Sequence, residues 1–252
     1  MKLVLRIAYL GTNYCGWQVQ PNGVSIQQKL GEAAARLFCR ECDIVGCSRT
    51  DSGTHAHDFC LSISEKGKPG LETNIDTDSI VRALNTYLPE DIAVKSAEWR
   101  EDNFHPRYDV KCKEYIYRFY NARVRSPFEA QRSFFYPYPL SGEQLENMSR
   151  AAAHFVGRHD FAAFMASGSD ITDTERSVIK SDIFKIGDII LYSVAADGFL
   201  YNMVRIMAGT LLEVAEGKIK PDEIPEIIAS RDRRRAGRTL PACGLYLNRV
   251  VY

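Results

Sequence analysis

The segment VIKSDIFKIGDIILYSVAA, residues 178–196, decides the fold class. Two runs rich in β-branched and aromatic residues, 178–186 and 189–196, flank the dipeptide Gly187-Asp188. A two-residue loop that contains glycine, placed between such runs, predicts a β-hairpin. The two strands of a hairpin are antiparallel neighbours, so we expect the sheet around them to be mostly antiparallel.

The elements around this hairpin have the same order in both halves of the chain. Alternating apolar residues predict strands, and apolar residues spaced three or four apart predict helices. Besides the hairpin, the second half is predicted to contain a strand over 110–120, a helix from Ser141 that closes at Gly157, a helix over 200–216, a short helix near 222–229 and a strand over 245–251. The first half is predicted to contain a strand over 3–9, a helix from Ser25, strands over 43–47 and 59–64, a helix over 79–88 and a strand over 92–99.

Capping residues mark where these helices begin. Ser25 with Gln28, and Ser141 with Gln144, form the S-x-x-Q pattern of a capping box. Asp78 is expected to open the second helix of the first half. Each half then follows the order β-α-β-β-α-β, which is typical of a split β-α-β, or ferredoxin-like, unit.

Two such units predict an α+β fold, in which two similar halves form an extended, mostly antiparallel sheet with helices on one face. The halves are expected at 1–104 and 105–252. No Gly/Ser-rich or Pro-rich linker separates them, so their sheets could be continuous.

The composition is that of a soluble globular protein. The 252 residues include 32 Lys and Arg against 32 Asp and Glu, with 45% hydrophobic residues, which excludes disordered, collagen-like and coiled-coil chains. The zero net charge argues against a uniformly basic nucleic-acid binder. Seven scattered cysteines favour reduced thiols, and we find neither a signal peptide nor a membrane-length apolar run, so the protein is expected to be cytoplasmic.

The segment GCSRTDSGTHAHD, residues 46–58, is the most unusual part of the chain. It combines carboxylates, a guanidinium, hydroxyls and imidazoles between two predicted strands, and loops on a rigid sheet commonly carry function. Two other interpretations of this segment are open. The segment could be a polar loop with an Asx-turn at Asp51. Alternatively, Asp51, His55, His57 and Asp58 could hold the divalent metal ion of a hydrolase, which a chelator would inactivate.

The motif Arg-Thr-Asp-x-Gly-x-His-Ala over 49–56 resembles the catalytic loop of the tRNA pseudouridine synthase A family. Further motifs resemble those of the family, in the same order, over most of the chain. They are Tyr9-x-Gly11 with Gly16-Trp17-Gln18, Ser25-Ile26-Gln27, Phe104-His105-Pro106-Arg107 with Lys113-Glu114-Tyr115, Asp160-Phe161 with Thr174-Glu175-Arg176, Phe199-Leu200 with Met203-Val204-Arg205 and Gly209, and Gly244-Leu245. The residues that depart from the family's usual ones, none of them a reacting group, are Ser48, Ser52, Thr54 and Lys113.

The resemblance implies the pseudouridine synthase fold and an enzyme that needs no cofactor. The resemblance also implies that the enzyme flips and isomerises uridines 38–40 of the tRNA anticodon stem-loop. It further implies a homodimer in which each active-site cleft contains residues of both subunits. Asp51 is implied as the catalytic residue and Tyr115 as a platform that stacks on the uracil. We expect Arg205, on an apolar helix, to pair with Asp51 and keep it ionised. Arg49 is expected to contact a phosphate or to fill the space of the flipped base.

From the residues alone, other roles stay open for these side chains. Tyr115 alternates with Tyr117 on one strand face, which is typical of core packing. Arg205 could face solvent, and Arg49 could form a structural ion pair. Asp51 could attack the sugar, add to the uracil ring or remove a ribose proton. The chain could also be a non-catalytic RNA-binding module on the same scaffold, although the intact Arg-Thr-Asp motif argues against this.

Charge is unevenly distributed along the chain. Residues 65–102 hold nine acidic and five basic groups, whereas residues 105–125 hold six basic and two acidic groups. A further basic group, here called the 231–238 cluster, consists of Arg231, Arg233, Arg234, Arg235 and Arg238, with only Asp232 against it. These segments are either solvated charge runs or parts of a positive groove that attracts the tRNA backbone and makes binding depend on salt.

Overall fold

A computed structural model describes residues 1–168 and 171–252. Over these residues the chain is of the α+β class, as predicted, and no helix there has the length and apolarity needed to cross a membrane. The described strands are β1 (Lys2–Tyr9), β2 (Cys42–Gly46), β3 (His55–Glu65), β4 (Ile92–Arg100), β5 (Cys112–Asn121), β6 (Phe134–Tyr136), β7 (Gly157–Asp160), β8 (Glu175–Ile186), β9 (Ile189–Ala196) and β10 (Leu245–Val251). The described α-helices are α1 (Ile26–Phe38), α2 (Thr77–Tyr87), α3 (Gly142–Ala153), α4 (Met203–Ala215) and α5 (Ile224–Ser230).

The chain divides into two compact units. The first unit comprises Met1–Lys111 and Leu247–Tyr252, and the second comprises Cys112–Tyr246. In the first unit the strand order is β4-β1-β3-β10, and β2 also pairs with β3. In the second unit it is β5-β9-β8-β7, and β6 pairs in parallel with β5.

The core of the first unit forms between its central strands and its two helices. β1 pairs antiparallel with both β3 and β4, and β2 pairs antiparallel with β3. α1 packs against β2, and α2 packs against β4. Fully buried cross-strand pairs between β1 and β3 are Leu3 with Ile63, Leu5 with Leu61 and Ile7 with Phe59. The connection between β2 and β3, which carries Asp51, therefore leads directly into β3, one of the two strands that form these buried pairs.

The second unit is built on the predicted hairpin. β8 and β9 pair antiparallel up to Ile186 opposite Ile189, and Gly187 in the turn has a φ of 58°, a conformation that glycine adopts at little cost. β5 pairs antiparallel with β9, α3 and α4 pack together, and α4 also contacts β5. Phe199, four residues before α4 begins, contacts the ring of Tyr115 on β5.

Several predicted helix boundaries are wrong, and α4, for example, begins at Met203 rather than near residue 200. α2 begins at Thr77 rather than after Asp78, because Asp76 is the residue whose carboxylate accepts the Ser79 N–H, at 2.9 Å. α3 ends at Ala153 rather than at Gly157, because the next three residues tighten into hydrogen bonds to carbonyls three positions back. The capping residue of α3 itself, Ser141, is confirmed: its hydroxyl accepts the Gln144 N–H, and its own N–H donates to the Gln144 side chain.

Candidate active site

The loop between β2 and β3, residues 47–54 and here called the Asp51 loop, is held in shape by backbone hydrogen bonds. At its start the Cys47 N–H donates to the Cys60 carbonyl (2.9 Å), which extends the strand pairing. At its end the Thr54 N–H donates to the Asp51 carbonyl (3.1 Å) and closes a β-turn. Gly53, in that turn, has a φ of 78° that favours glycine.

Two glycines of the N-terminal segment contact this loop, one at Thr50 and one at Thr54. A Cβ on Gly11 would lie 2.0 Å from the Thr54 carbonyl oxygen, and a Cβ on Gly16 would lie 2.6 Å from the Thr50 carbonyl oxygen. The same Thr50 carbonyl accepts the Trp17 N–H at 3.1 Å. Only glycine permits such an approach of one backbone to another. The N-terminal motif therefore fixes both ends of the stretch that contains Asp51.

Side chains hold the middle of the loop. The hydroxyls of Tyr9 and Thr50 share a buried hydrogen bond of 2.8 Å, and the Ser52 hydroxyl donates to the Tyr14 carbonyl at 3.1 Å. The Tyr14 hydroxyl donates in turn to Asp91. Burial, followed by this bond, raises the pKa of Tyr14, so its hydroxyl remains a donor. The two neighbours of Asp51 in the chain are thus both tied to the N-terminal segment.

Replacing Gly16 by Ala is expected to destabilise the first unit and lower turnover. Its φ of 103° strains any side chain, and the new Cβ would meet backbone, so the free energy of unfolding should fall by about 2 kcal/mol or more. Gly31→Ala is the matched control: Gly31 lies within α1, and open space surrounds the position that a Cβ would take, so this variant should be unchanged or slightly more stable. Urea unfolding measures both, and a Gly16→Ala protein as stable as the parent would contradict the prediction.

Asp51 and Arg49 lie on either side of Thr50, which is buried at 8% exposure. Arg49 is exposed and Asp51 is partly exposed, so burial alternates along this stretch as in an extended segment. Arg49 forms no ion pair with the residues that the structure describes. The loop thus offers solvent a carboxylate and a cation two residues apart.

The other groups of the metal-site hypothesis have separate partners. His55 is fully buried, and its Nδ1 accepts the Gly11 N–H at 2.9 Å. Asp58 forms an ion pair with Arg6, at 3.0 Å. Within residues 1–168 and 171–252, no three His, Cys, Asp or Glu side chains are grouped closely enough to hold a metal ion. The placement of His55 and Asp58 gives each a structural role.

Tyr115 lies on β5 in the second unit and is 7% exposed. Its ring meets that of Phe199 edge to face, with 5.1 Å between centroids, and Val194 on β9 is its register partner. Such a fixed, mostly buried ring suits a rigid stacking platform, but it is equally what a core residue looks like. Its role in catalysis stays a prediction.

Arg205 is held by two acceptors near the start of α4. Its Nε donates to the Leu240 carbonyl (2.7 Å), and its Nη1 donates to the side chain of Asn202 (2.6 Å). Asn202 stands at the N-cap position with a φ of 60° and makes no capping bond, because its amide oxygen binds the arginine instead. Nearby, burial raises the pKa of Tyr117, whose hydroxyl donates to the Pro241 carbonyl at 2.7 Å.

Most arginines of the 231–238 cluster have acidic partners. Those ion pairs are Arg231 with Asp160 (2.9 Å), Arg234 with Asp232 (2.7 Å), Arg235 with Glu226 (3.6 Å) and Arg238 with Glu216 (3.0 Å). The hydrogen bonds from Arg234 lower the pKa of Asp232 to about 2. Arg233 instead donates to the Ala236 carbonyl and to the Thr239 hydroxyl. Much of the positive charge seen in this stretch of sequence is therefore compensated in the fold.

Several residues that contact Arg205 or the neighbouring Tyr117 carry no clear signal in the sequence. Asn202, Leu240 and Pro241 contribute one amide and two backbone carbonyls, and a backbone acceptor leaves no mark on the sequence. Asn202 is recognisable only as an ordinary N-cap residue before a helix, which gives no hint that its side chain binds Arg205. The roles of Gly11 and Gly16 in holding the loop are likewise hidden, although both glycines belong to a motif of the family.

Comparison with known proteins places the chain in a family. A family model described as tRNA pseudouridine synthase matches residues 151–252. The tRNA pseudouridine synthase A of Acetivibrio thermocellus is 43% identical over 249 residues, or 98% of each chain, and that of Thermoanaerobacter sp. strain X514 is 42% identical over 250 residues, or 99% of each chain. A solved Cbf5-Nop10-Gar1 complex aligns with 98% of this chain and 49% of its own, at 11% identity and a TM-score of 0.37, too weak a likeness to carry weight. On the strength of the two near full-length relatives, the chain belongs to the tRNA pseudouridine synthase A family.

Proposed function

We propose that this chain isomerises uridine to pseudouridine in tRNA, at positions 38–40 of the anticodon stem-loop, with Asp51 as the catalytic residue. The observation that carries the proposal is the Asp51 loop, in which the Arg-Thr-Asp motif is intact and Gly16 and Gly11 contact the backbone on either side of Asp51, at Thr50 and Thr54. Family membership supports the reaction and the class of substrate.

The reaction sets clear demands on the site. The N1–C1′ bond of the nucleotide breaks, a C5–C1′ bond forms, the hydrogen on C5 leaves as a proton and N1 takes one up. Atoms and electrons balance without an oxidant or reductant, so we propose that no cofactor takes part. Asp51 attacks the sugar, adds to the uracil ring or removes a ribose proton, and each route begins from the ionised carboxylate.

A uridine within a stem is out of reach until it is flipped, which costs a few kcal/mol. Stacking on an aromatic ring returns about 1–3 kcal/mol per base, and we assign that ring to Tyr115. Arg49, exposed beside Asp51, is proposed to contact a phosphate or to occupy the vacated space. Arg205 is proposed to pair with Asp51 and hold it ionised.

We further propose that the protein acts as a homodimer in the cytoplasm. The homodimer rests on the family resemblance and the location on the seven scattered cysteines, and sedimentation of the purified protein with and without tRNA tests the first.

Release of tritium from tRNA labelled at C5 of uridine tests the proposed activity directly, because that hydrogen is lost in the reaction. We expect release from the purified protein, with product mapped to positions 38–40, and the same rate in excess chelator. Binding of tRNA without release would indicate an RNA-binding module, and activity lost to the chelator would indicate the metal-dependent hydrolase.

Replacing Tyr115 by Ala is expected to lower kcat/KM by roughly 10- to 100-fold, because stacking worth about 1–3 kcal/mol is lost. Tyr115→Phe keeps the ring and should remain within about threefold of the parent. Tritium release gives the rate, and thermal melting shows how much of each variant is folded. A Tyr115→Ala enzyme that melts at a lower temperature but has a normal rate when folded would show that Tyr115 is a core-packing residue and not a stacking platform.

A further inference from the structure

The segment 236–241, here called the α4 strap, lies lengthwise along α4 and is bonded to it at successive positions. The Gly237 N–H donates to the Thr210 hydroxyl (2.9 Å), and the Arg238 N–H donates to the carboxylate of Glu213 (3.0 Å). At the other end, the Leu240 N–H donates to the Arg205 carbonyl at 3.3 Å. The contacts follow one stripe of the helix, so the strap runs antiparallel to α4.

Two glycines let the strap come this close. A Cβ on Gly209 would lie 1.8 Å from the Arg238 carbonyl oxygen, and a Cβ on Gly237 would lie 2.6 Å from the backbone of Thr210. Thr210 is itself fully buried, and its hydroxyl also donates to the Ile206 carbonyl (2.8 Å). Both contacts are between backbone atoms of the strap and of α4. A methyl group added at Gly209 or Gly237 would therefore displace the strap.

The strap ends in two carbonyls that accept hydrogen bonds from side chains of α4 and β5. The Leu240 carbonyl accepts from Nε of Arg205, and the Pro241 carbonyl accepts from the hydroxyl of Tyr117. Arg205 has many rotamers, and fixing them costs about 1.5–2 kcal/mol of side-chain entropy, so a rigid acceptor matters for its aim. The position of the Leu240 carbonyl depends on the backbone of the strap. That backbone is fixed at Gly237 by the hydrogen bond to the Thr210 hydroxyl.

We propose that the α4 strap is a positioning element for Arg205, and that Thr210 and Gly209 are positioning residues for the reaction. They touch neither substrate nor reacting atoms. The Thr210 hydroxyl accepts a hydrogen bond from the strap, and Gly209, which has no side chain, lets the strap backbone lie against the helix. The strap so held places the Leu240 carbonyl where it accepts from Arg205. This inference rests on the proposed function only in that Arg205 acts in the site.

Thr210→Val tests the proposal, because it keeps the branched shape and removes only the hydroxyl. The strap loses its anchor at Gly237, and the rate constant of a single turnover with enzyme in saturating excess should fall roughly tenfold, since a misplacement of 1 Å can cost about 100-fold. The Kd for tRNA should stay unchanged. Thr210→Ser restores the hydroxyl and should restore the rate constant.

A structural role alone would give a different pattern. Partial unfolding lowers the amplitude of the turnover and the stoichiometry of tRNA binding, but not the rate constant of the folded enzyme. The proposal is overturned if folded Thr210→Val reacts at the parental rate, or if Thr210→Ser is equally slow.

Gly209→Ala provides a second route should Thr210→Val not fold, and it should also lower the rate constant at unchanged Kd. Gly142→Ala is its control, because open space surrounds Gly142 in α3. Equal rates for the two glycine variants would overturn the proposal. Failure of the proposed function is distinguishable, since then the parent protein itself releases no tritium.

Discussion

Asp51→Asn is expected to abolish tritium release, with a fall in kcat on the order of 10⁴-fold or more, as for removal of a reacting group in other enzymes. The amide has the shape of the carboxylate but cannot act as a nucleophile or base. The loop should keep its form, since the side chains of Thr50 and Ser52 bond it to the N-terminal segment on both sides of Asp51. The Kd for tRNA should therefore change little.

Asp58→Asn is the matched control for this variant. Asp58 lies seven residues further along, on β3, and pairs with Arg6 at 3.0 Å. Its loss should cost some stability while leaving the rate constant of the folded enzyme near that of the parent. Sustained turnover by Asp51→Asn would refute the assignment of Asp51, and equal loss in both variants would favour a shared metal site.

Arg205→Met is expected to lower kcat by roughly 100- to 1000-fold, the cost of removing one preorganised charge-stabilising donor from an active site. The variant also leaves the Leu240 carbonyl and the Asn202 side chain without the donors they now have. Arg205→Lys keeps the charge but loses the planar fork, so it should recover only part of the activity.

Arg158→Met is the comparison for a surface arginine. Its side chain is 74% exposed and pairs with Glu175, and exposed pairs of this kind contribute at most about 1 kcal/mol. Single-turnover rates and tRNA affinities of both variants separate a role in chemistry from one in binding. If Arg205→Met reacts as fast as Arg158→Met, the proposed pairing with Asp51 is wrong.

Local signals in the sequence predict the order of elements well. The hairpin follows from Gly187-Asp188, and the start of α3 from Ser141, because turn and cap chemistry act within a few residues. The predicted end of α3 is wrong by four residues. The predicted cap of α2 is wrong by two residues, because Asp76 and Asp78 are both plausible caps. The short strands β6 and β7 carry no pattern long enough to be recognised.

Features set by long-range contacts could not be predicted. The acids that neutralise Arg231, Arg235 and Arg238 come from outside the cluster, so counting charges within the stretch overstates its positive field. The α4 strap escapes prediction for a similar reason, because its bonds use backbone groups that every sequence has. Motif resemblance predicts Asp51 as the catalytic residue without these contacts, but it gives no account of what holds Asp51 in place.

The glycine contacts at the Asp51 loop limit how this region can vary in length. Gly11 opposes Thr54 and Gly16 opposes Thr50, so the two segments run past each other in opposite directions between two fixed contacts. An insertion or deletion in one segment alone would shift one contact out of register or displace Asp51. We expect length changes between residues 11 and 16 to be tolerated only together with a compensating change between residues 50 and 54.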